Sequence, residues 1–172
     1  MISFRRMERG DVEFVNTTRN GYAKQYLHDQ RTFTLEESLD WFDTQHPDWW
    51  IIQWDNTRIG YFRLSNHDTE TRSIYIGADI APLWTGRGLS KVAYRKFLPW
   101  IARLYDIDKF RLLVKAHNTR AINLYRGLGF LTVRSIYKTY AQPGSLDYTV
   151  TDSYEMEYDI RNPGMIQLQI ED

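Results

Sequence analysis

The sequence contains no cysteine, and that single absence removes disulfides, thiolate metal sites and cysteine nucleophiles together. It also lacks a surplus of charge: 22 basic and 22 acidic residues leave a formal net charge of zero. No overall field therefore draws the chain to nucleic acid or to an anionic membrane. No apolar run approaches the roughly 18 residues of a membrane span, and none of signal-peptide length follows Met1-Ile2-Ser3-Phe4-Arg5-Arg6-Met7-Glu8, so a cytoplasmic protein is expected. No Pro/Gly/Ser-rich linker, charge block, repeat or low-complexity segment divides the 172 residues. One domain over 1–172 is expected, with residues 161–172 as a tail. The histidines, His28, His46, His67 and His117, show no i, i+4 pair and no carboxylate cluster with ligand spacing, and no metal is expected. Aromatic residues, by contrast, are plentiful. They make up 15% of the chain, with 12 Tyr and 6 Trp, more than a core of this size calls for, so some should line a pocket or an interface.

The periodicities give the element order. Alternation from Ile2 to Met7 predicts a strand, and Asp11 is the expected N-cap of a short helix ending at Asn20-Gly21. Thr34-Leu35-Glu36-Glu37 has the form of a capping box, predicting a second helix from Leu35 to about Gln45. Trp49–Trp54 and Ile59–Leu64 form a hairpin around Asp55-Asn56-Thr57-Arg58. Arg72–Ile80 is a strand with Ile74, Ile76, Ala78 and Ile80 on one face and Tyr75, Gly77 and Asp79 on the other. Gly77 in mid-strand predicts a bulge that forces neighbouring strands apart. Apolar residues at 3-4 spacing from Leu89 to Leu104 mark the longest helix, which Pro99 should kink. Phe110–Ala116 has the unbroken apolar run of a strand buried on both faces. Asn118-Thr119 caps a short helix ended by Gly127 and Gly129, and Phe130–Tyr140 and Tyr154–Ile160 pair as antiparallel strands. Ile166, Leu168 and Ile170 alternate with glutamines as an added edge strand, expected to dock on its own sheet or to form a homodimer. The order predicts a mixed α/β sheet, and it is not a Rossmann fold, because the glycine loop follows four strands and no second βαβ half appears.

The stretch that carries the chemistry is Ile80-Ala81-Pro82-Leu83-Trp84-Thr85-Gly86-Arg87-Gly88-Leu89-Ser90, where a strand passes through a glycine-bearing loop into the longest helix. Gly86 and Gly88 leave the backbone uncovered, and the helix start presents unpaired N–H groups and the positive end of its dipole to an anion. This loop resembles the pyrophosphate-binding motif of the GNAT acetyltransferase superfamily, Gln/Arg-x-x-Gly-x-Gly/Ala. Asn118-Thr119-Arg120-Ala121-Ile122-Asn123-Leu124-Tyr125, followed by Gly129-Phe130, resembles the same superfamily's second motif, Asn-x-x-Ala-x-x-x-Tyr ending in Gly-Phe. The order and separation of the two also match. The chain departs from the pattern at Thr85, where the family has Gln or Arg, and at Ser90, where it has Gly or Ala.

The resemblance implies a GNAT-like fold whose middle strands, here Arg72–Ile80 and Phe110–Ala116, splay apart so that pantetheine lies between them and pairs with the backbone near Ile80. It implies acetyl-CoA as donor and a primary amine as acceptor, joined by direct attack. The residues agree: there is no cysteine for a thioester route, and no Gly-x-Ser-x-Gly elbow for a serine one. Thr85, Gly86, Arg87, Gly88, Leu89 and Ser90 are then the pyrophosphate site, Asn118 contacts the pantetheine arm, and Tyr125 stands near the sulfur as general acid. For the general base Asp79 is preferred over Glu70 and His67, its strand end adjoining the expected thioester. The acceptor pocket should come from Tyr22–Trp50, with Tyr22, Tyr26, His28, Trp41, His46 and Trp49 suited to stacking on a sugar. An amino sugar is the first expectation for the acceptor. A protein N-terminus or side chain is the enzyme alternative, and a non-catalytic acyl-CoA-binding module is the alternative of another class.

Overall fold

The computed structural model describes residues 1–141, 143–144 and 146–162. The alternating segment Ile166–Ile170, with the docking or dimer expected of it, lies outside the described residues. The elements are β1 (Ile2–Arg6), α1 (Val12–Asn20), α2 (Leu35–Gln45), β2 (Trp49–Trp54), β3 (Thr57–Asp68), β4 (Ser73–Ile80), α3 (Leu89–Tyr105), β5 (Lys109–Lys115), α4 (Thr119–Leu128), β6 (Leu131–Tyr140) and β7 (Tyr148–Asp159). The seven strands form one sheet in the order β1-β2-β3-β4-β5-β7-β6. Among the described strands only β4 and β5 run parallel, because α3 carries the chain across between them.

That parallel pair is short. Ser73, Ile74 and Tyr75 face Lys109, Phe110 and Arg111, and no further rungs follow. Each strand continues with its outer neighbour instead: β4 stays paired with β3 to Ile80, and β5 with β7 to Lys115. The two therefore part beyond Tyr75 and Arg111, and the sheet opens in its middle. The bulge expected at Gly77 is not the cause. The β3–β4 register is continuous from Gly60↔Ile80 to Ser65↔Tyr75, and its irregularity falls between Ser65 and Asp68. Gly77 meets a different need, since a Cβ there would stand 2.8 Å from Arg63 Nη2. The guanidinium of Arg63 lies across the strand at that point.

Alternation along the strands divides the apolar residues between two faces. Trp50, Ile52, Phe62, Ile74, Ile76, Phe110 and Leu112 pack under α3 and α4, while Met7, Ile51 and Tyr61 pack with Val12 and Val15 under α1 and α2. Aromatic rings fill much of the first layer. Phe62 and Phe97 stack at 4.0 Å between centroids, with Phe4 and Trp50 edge-on to Phe97. β5 is not buried on both faces as its composition suggests: Phe110, Leu112 and Val114 are buried, but Leu113 is 44% exposed.

Two helix starts show how far local signals reach. The capping box forms as expected, Thr34 Oγ1 accepting from Glu37 N–H at 3.1 Å and Glu37 Oε2 from Thr34 N–H at 2.7 Å. Asp11, expected to cap α1, makes no such bond. A 3₁₀ turn over Arg9–Asp11 precedes the helix. The carboxylate turns instead to Arg5, at 2.7 and 2.8 Å, to Arg58 at 3.2 Å and to Glu8 N–H at 2.9 Å. A buried acid with two guanidinium partners ties β1, α1 and β3 together.

Candidate active site

The glycine loop opens with a 3₁₀ turn at Pro82–Trp84 and enters α3 through Gly86 (φ +78°) and Gly88 (φ +73°). Both angles lie in the left-handed region that favours glycine. A Cβ on Gly88 would meet nothing within 4 Å, so the space above this backbone is open. The N–H groups in the first turn of α3 have no carbonyl a turn earlier to pair with, and Leu89, Ser90 and Lys91 of that turn line the adjoining cavity. Thr85 Oγ1 donates to Pro82 O at 2.9 Å within the turn. Arg87 lies over the Trp84 ring, 5.0 Å from its centroid, and does not line the adjoining cavity. Lys91 and Arg120 do line it, two cations that motif matching passes over.

This cavity, about 350 Å³, runs from Gly86, Gly88, Leu89 and Ser90 past Ile80 and Asn118 to Asp79, Tyr94 and Tyr125. The two sequence motifs thus meet in one space. Asn118 caps α4, its Oδ1 accepting from Ala121 N–H at 3.2 Å, which leaves its amide donor for a ligand. Tyr125 is 9% exposed, its ring against Tyr94 and Phe130 at 5.8 and 5.7 Å. Burial raises its pKa, with Tyr94 and Arg63 partly opposing. The phenol is therefore protonated at neutral pH.

Asp79 is also 9% exposed. Its Oδ2 stands 3.5 Å from Arg63 Nη2, and Tyr61 faces it in register. The acid expected as general base is thus the partner of a cation held over Gly77. Asp79 Oδ2, Arg63 Nε, Tyr61 Oη and Tyr94 Oη are buried without a hydrogen-bond partner. Orphaned groups of this kind mark a place where a polar molecule belongs. With the open glycine backbone and the flanking cations, they fit a phosphate-bearing chain that carries amides into the sheet.

A second cavity, about 330 Å³, lies where the sheet opens, between Gly77 and Leu113, and is lined also by Arg63, Tyr75, His28 and Trp49. Tyr26 borders both this space and the one beside the glycine loop. A third, about 460 Å³, adjoins it through Arg19, Asp29 and Trp49, and extends past Phe33, Glu37 and Trp41. Of the residues expected around the acceptor, Tyr26, His28, Trp41 and Trp49 line these two spaces. Tyr22 lies beside the glycine loop, and His46 ends α2 at φ 45° and borders none of the three. His67 packs against Tyr105, and Glu70 follows Asp68 in a turn, away from all three cavities.

The loop carrying His28 is held from α1. Arg19 donates to the carbonyls of Asp29 and Arg31 at 2.9 and 2.8 Å, and Asn16 and Asn20 both donate to Phe33 O at 2.8 Å. His28 Nε2 lies 3.0 Å from Ser153 Oγ, which donates to Asp152 Oδ2 at 2.6 Å. Lys115 holds the same carboxylate at 3.0 and 3.1 Å. Sequence reasoning gave no sign of this chain of contacts. Among the described residues there is no group of three His, Cys, Asp or Glu side chains able to hold a metal, and no helix long and apolar enough to cross a membrane.

Residues 15–130 match the family model described as Acetyltransferase (GNAT) family. The spermidine N(1)-acetyltransferase of Escherichia coli (strain K12) is 24% identical over 134 residues, covering 75% of this chain and 72% of that protein. Spermidine N-acetyltransferase from Vibrio cholerae, in complex with CoA and spermine, superposes with a TM-score of 0.80 at 19% identity, over 93% of this chain and 96% of that one. A dodecameric structure of the Vibrio cholerae enzyme gives a TM-score of 0.74 at 18% identity, over 99% and 98% of the two chains.

Proposed function

The chain belongs to the GNAT acetyltransferase family and is an acetyl-CoA-dependent N-acetyltransferase, and on that premise we propose that it acetylates a small-molecule primary amine held in the cavity between Gly77 and Leu113. The observation that carries this reading is the parting of β4 and β5, with a phosphate-suited cavity on one side, a second cavity on the other, and Tyr26 common to both. Acetyl-CoA supplies the acetyl group as a thioester. The backbone of Gly86, Arg87, Gly88, Leu89 and Ser90 binds its pyrophosphate, with Lys91 and Arg120 adding positive charge. The edge of β4 from Ile76 to Ile80 has no β5 partner, so its backbone groups are open to an amide-bearing chain, and Asn118 adds a side-chain donor. Tyr125 holds a proton at Oη for the leaving sulfur, whose conjugate thiol has an ordinary pKa of about 8.5. Asp79 keeps Arg63 in place between the two cavities.

For the acceptor, an amino sugar is supported by what lines the two outer cavities. Trp41, Trp49 and Tyr26 supply aromatic surface, and Arg19 and Arg63 supply positive charge. The carboxylates there, Asp29 and Glu37, are already engaged, with Arg31 and with Thr34 N–H. A polyamine is the second reading, supported by the spermidine acetyltransferases among its relatives. Its ammonium groups would have to compete for those two acids. Release of CoA thiol from acetyl-CoA, measured with amino sugars, their nucleotide conjugates and spermidine, separates the readings. Amine-independent release alone would overturn both. The dodecameric relative also supports self-association, for which the exposed apolar residues of β6, Leu131, Val133 and Tyr137, provide a surface. A solution mass equal to the 20.6 kDa monomer would refute it.

A further inference from the structure

We propose that His28 is the general base of the transfer, acting through Nδ1, and that Ser153, Asp152 and Lys115 are the positioning residues that set its tautomer. The proposal rests on the N-acetyltransferase reading. It begins from a hydrogen bond whose direction is fixed. A hydroxyl has one proton, and Ser153 gives its own to Asp152 at 2.6 Å. Asp152 accepts it as a carboxylate, its pKa lowered by Ser153 first and then by the Lys115 ammonium. Ser153 Oγ can therefore only accept from His28, 3.0 Å away. The proton of the neutral imidazole then sits on Nε2, and the lone pair is left on Nδ1.

The position of His28 and the charges around it suit that lone pair to a base. His28 borders the acceptor cavity together with Gly77, Leu113 and Arg63, where the sheet has opened. Its loop is fixed at both ends: Leu27 is buried before it, and Arg19 holds the carbonyl of Asp29 after it. The charged groups around the ring are Lys115 on β5, Asp152 on β7 and Arg63 on β3. Burial first, then Lys115 and Arg63 against the opposing Asp152, hold His28 below its usual value. The ring is neutral, and so basic, at neutral pH. Asp79 is less suited, since its charge faces Arg63 at 3.5 Å and it lines the cofactor side. As the amine nitrogen bonds to the acetyl carbon, its surplus proton passes to His28 Nδ1. The C–S bond breaks, and the sulfur takes a proton from Tyr125. Amide and free thiol leave, and solvent restores both side chains.

His28→Gln is the discriminating variant, because a glutamine amide can still donate to Ser153 but offers no base. It should lower kcat by roughly 10² or more and remove the acid limb from the pH profile of kcat/KM, while the CoA-induced rise in Tm stays as in wild type. Imidazole NMR of the ligand-free protein should show the Nε2–H tautomer and a midpoint below 6.5. Ser153→Ala should mix the tautomers. A His28→Gln enzyme within threefold of wild-type kcat, or an Nδ1–H tautomer in the wild type, overturns the proposal and leaves the transferase reading standing. A wild type with no amine-dependent CoA release overturns both.

Discussion

The guanidinium of Arg63 occupies the volume that a side chain at residue 77 would fill, and from there its Nη2 reaches to 3.5 Å from Asp79 Oδ2. The pair spans the floor between the two cavities, Arg63 on the acceptor side and Asp79 on the cofactor side. Gly77→Ala should push the guanidinium aside. The cost in stability should be modest, about 1 kcal/mol, because the far end of a flexible side chain yields before backbone does. Steady-state kinetics should show the acceptor KM rising while the KM for acetyl-CoA stays near wild type.

Gly88→Val tests the pyrophosphate assignment. The residue has φ +73° and open space above it, so the new side chain strains the backbone and covers the surface a phosphate would approach. CoA at one hundred times its dissociation constant should stabilise the wild type by about 2.7 kcal/mol. Thermal melts of the variant should show no such shift, with NAD and ATP giving little in either protein.

Tyr125→Phe keeps the ring between Tyr94 and Phe130 and removes the hydroxyl that would give the proton. Turnover at saturating amine should fall by roughly 10² or more, with CoA binding nearly unchanged. Turnover close to wild type would reduce Tyr125 to a packing residue.

Asp11 makes a prediction about acid stability. Burial would raise its pKa, but the hydrogen bonds from Arg5, Glu8 N–H and Arg58, with the charge of Arg5, together bring it below the ordinary 3.8. Its contribution should therefore be complete above the unfolded-state value and disappear as pH falls through the lower folded-state one. Asp11→Asn should cost about 3 kcal/mol at neutral pH, the low end for a broken buried pair, since Arg5 and Arg58 keep contact with water. Urea melts at pH 7 and pH 3 should show the difference between variant and wild type shrinking in acid.

How much of this was legible depended on distance along the chain. The capping box at Thr34 and the cap at Asn118 are local, and each formed at the residue named. Gly77 was misread because its reason, Arg63, belongs to the neighbouring strand. Asp11 was misread because a short acid before a helix serves equally well as a cap or as an ion-pair partner. The contact between His28 and Ser153 spans 125 positions, and no periodicity encodes it. Leu113 hid the alternation of β5, since it faces a cavity and keeps its apolar character there.

The three rungs between β4 and β5 give the sheet the mechanics of two plates joined at one corner. Strands β1–β4 form one plate and β5–β7 the other, joined also by the apolar layer they share under α3 and α4. A ligand lodged in the gap would supply the missing rungs, so binding should stiffen the molecule along that line. The alignment of donor and acceptor would then be a property of the bound assembly rather than of the free protein.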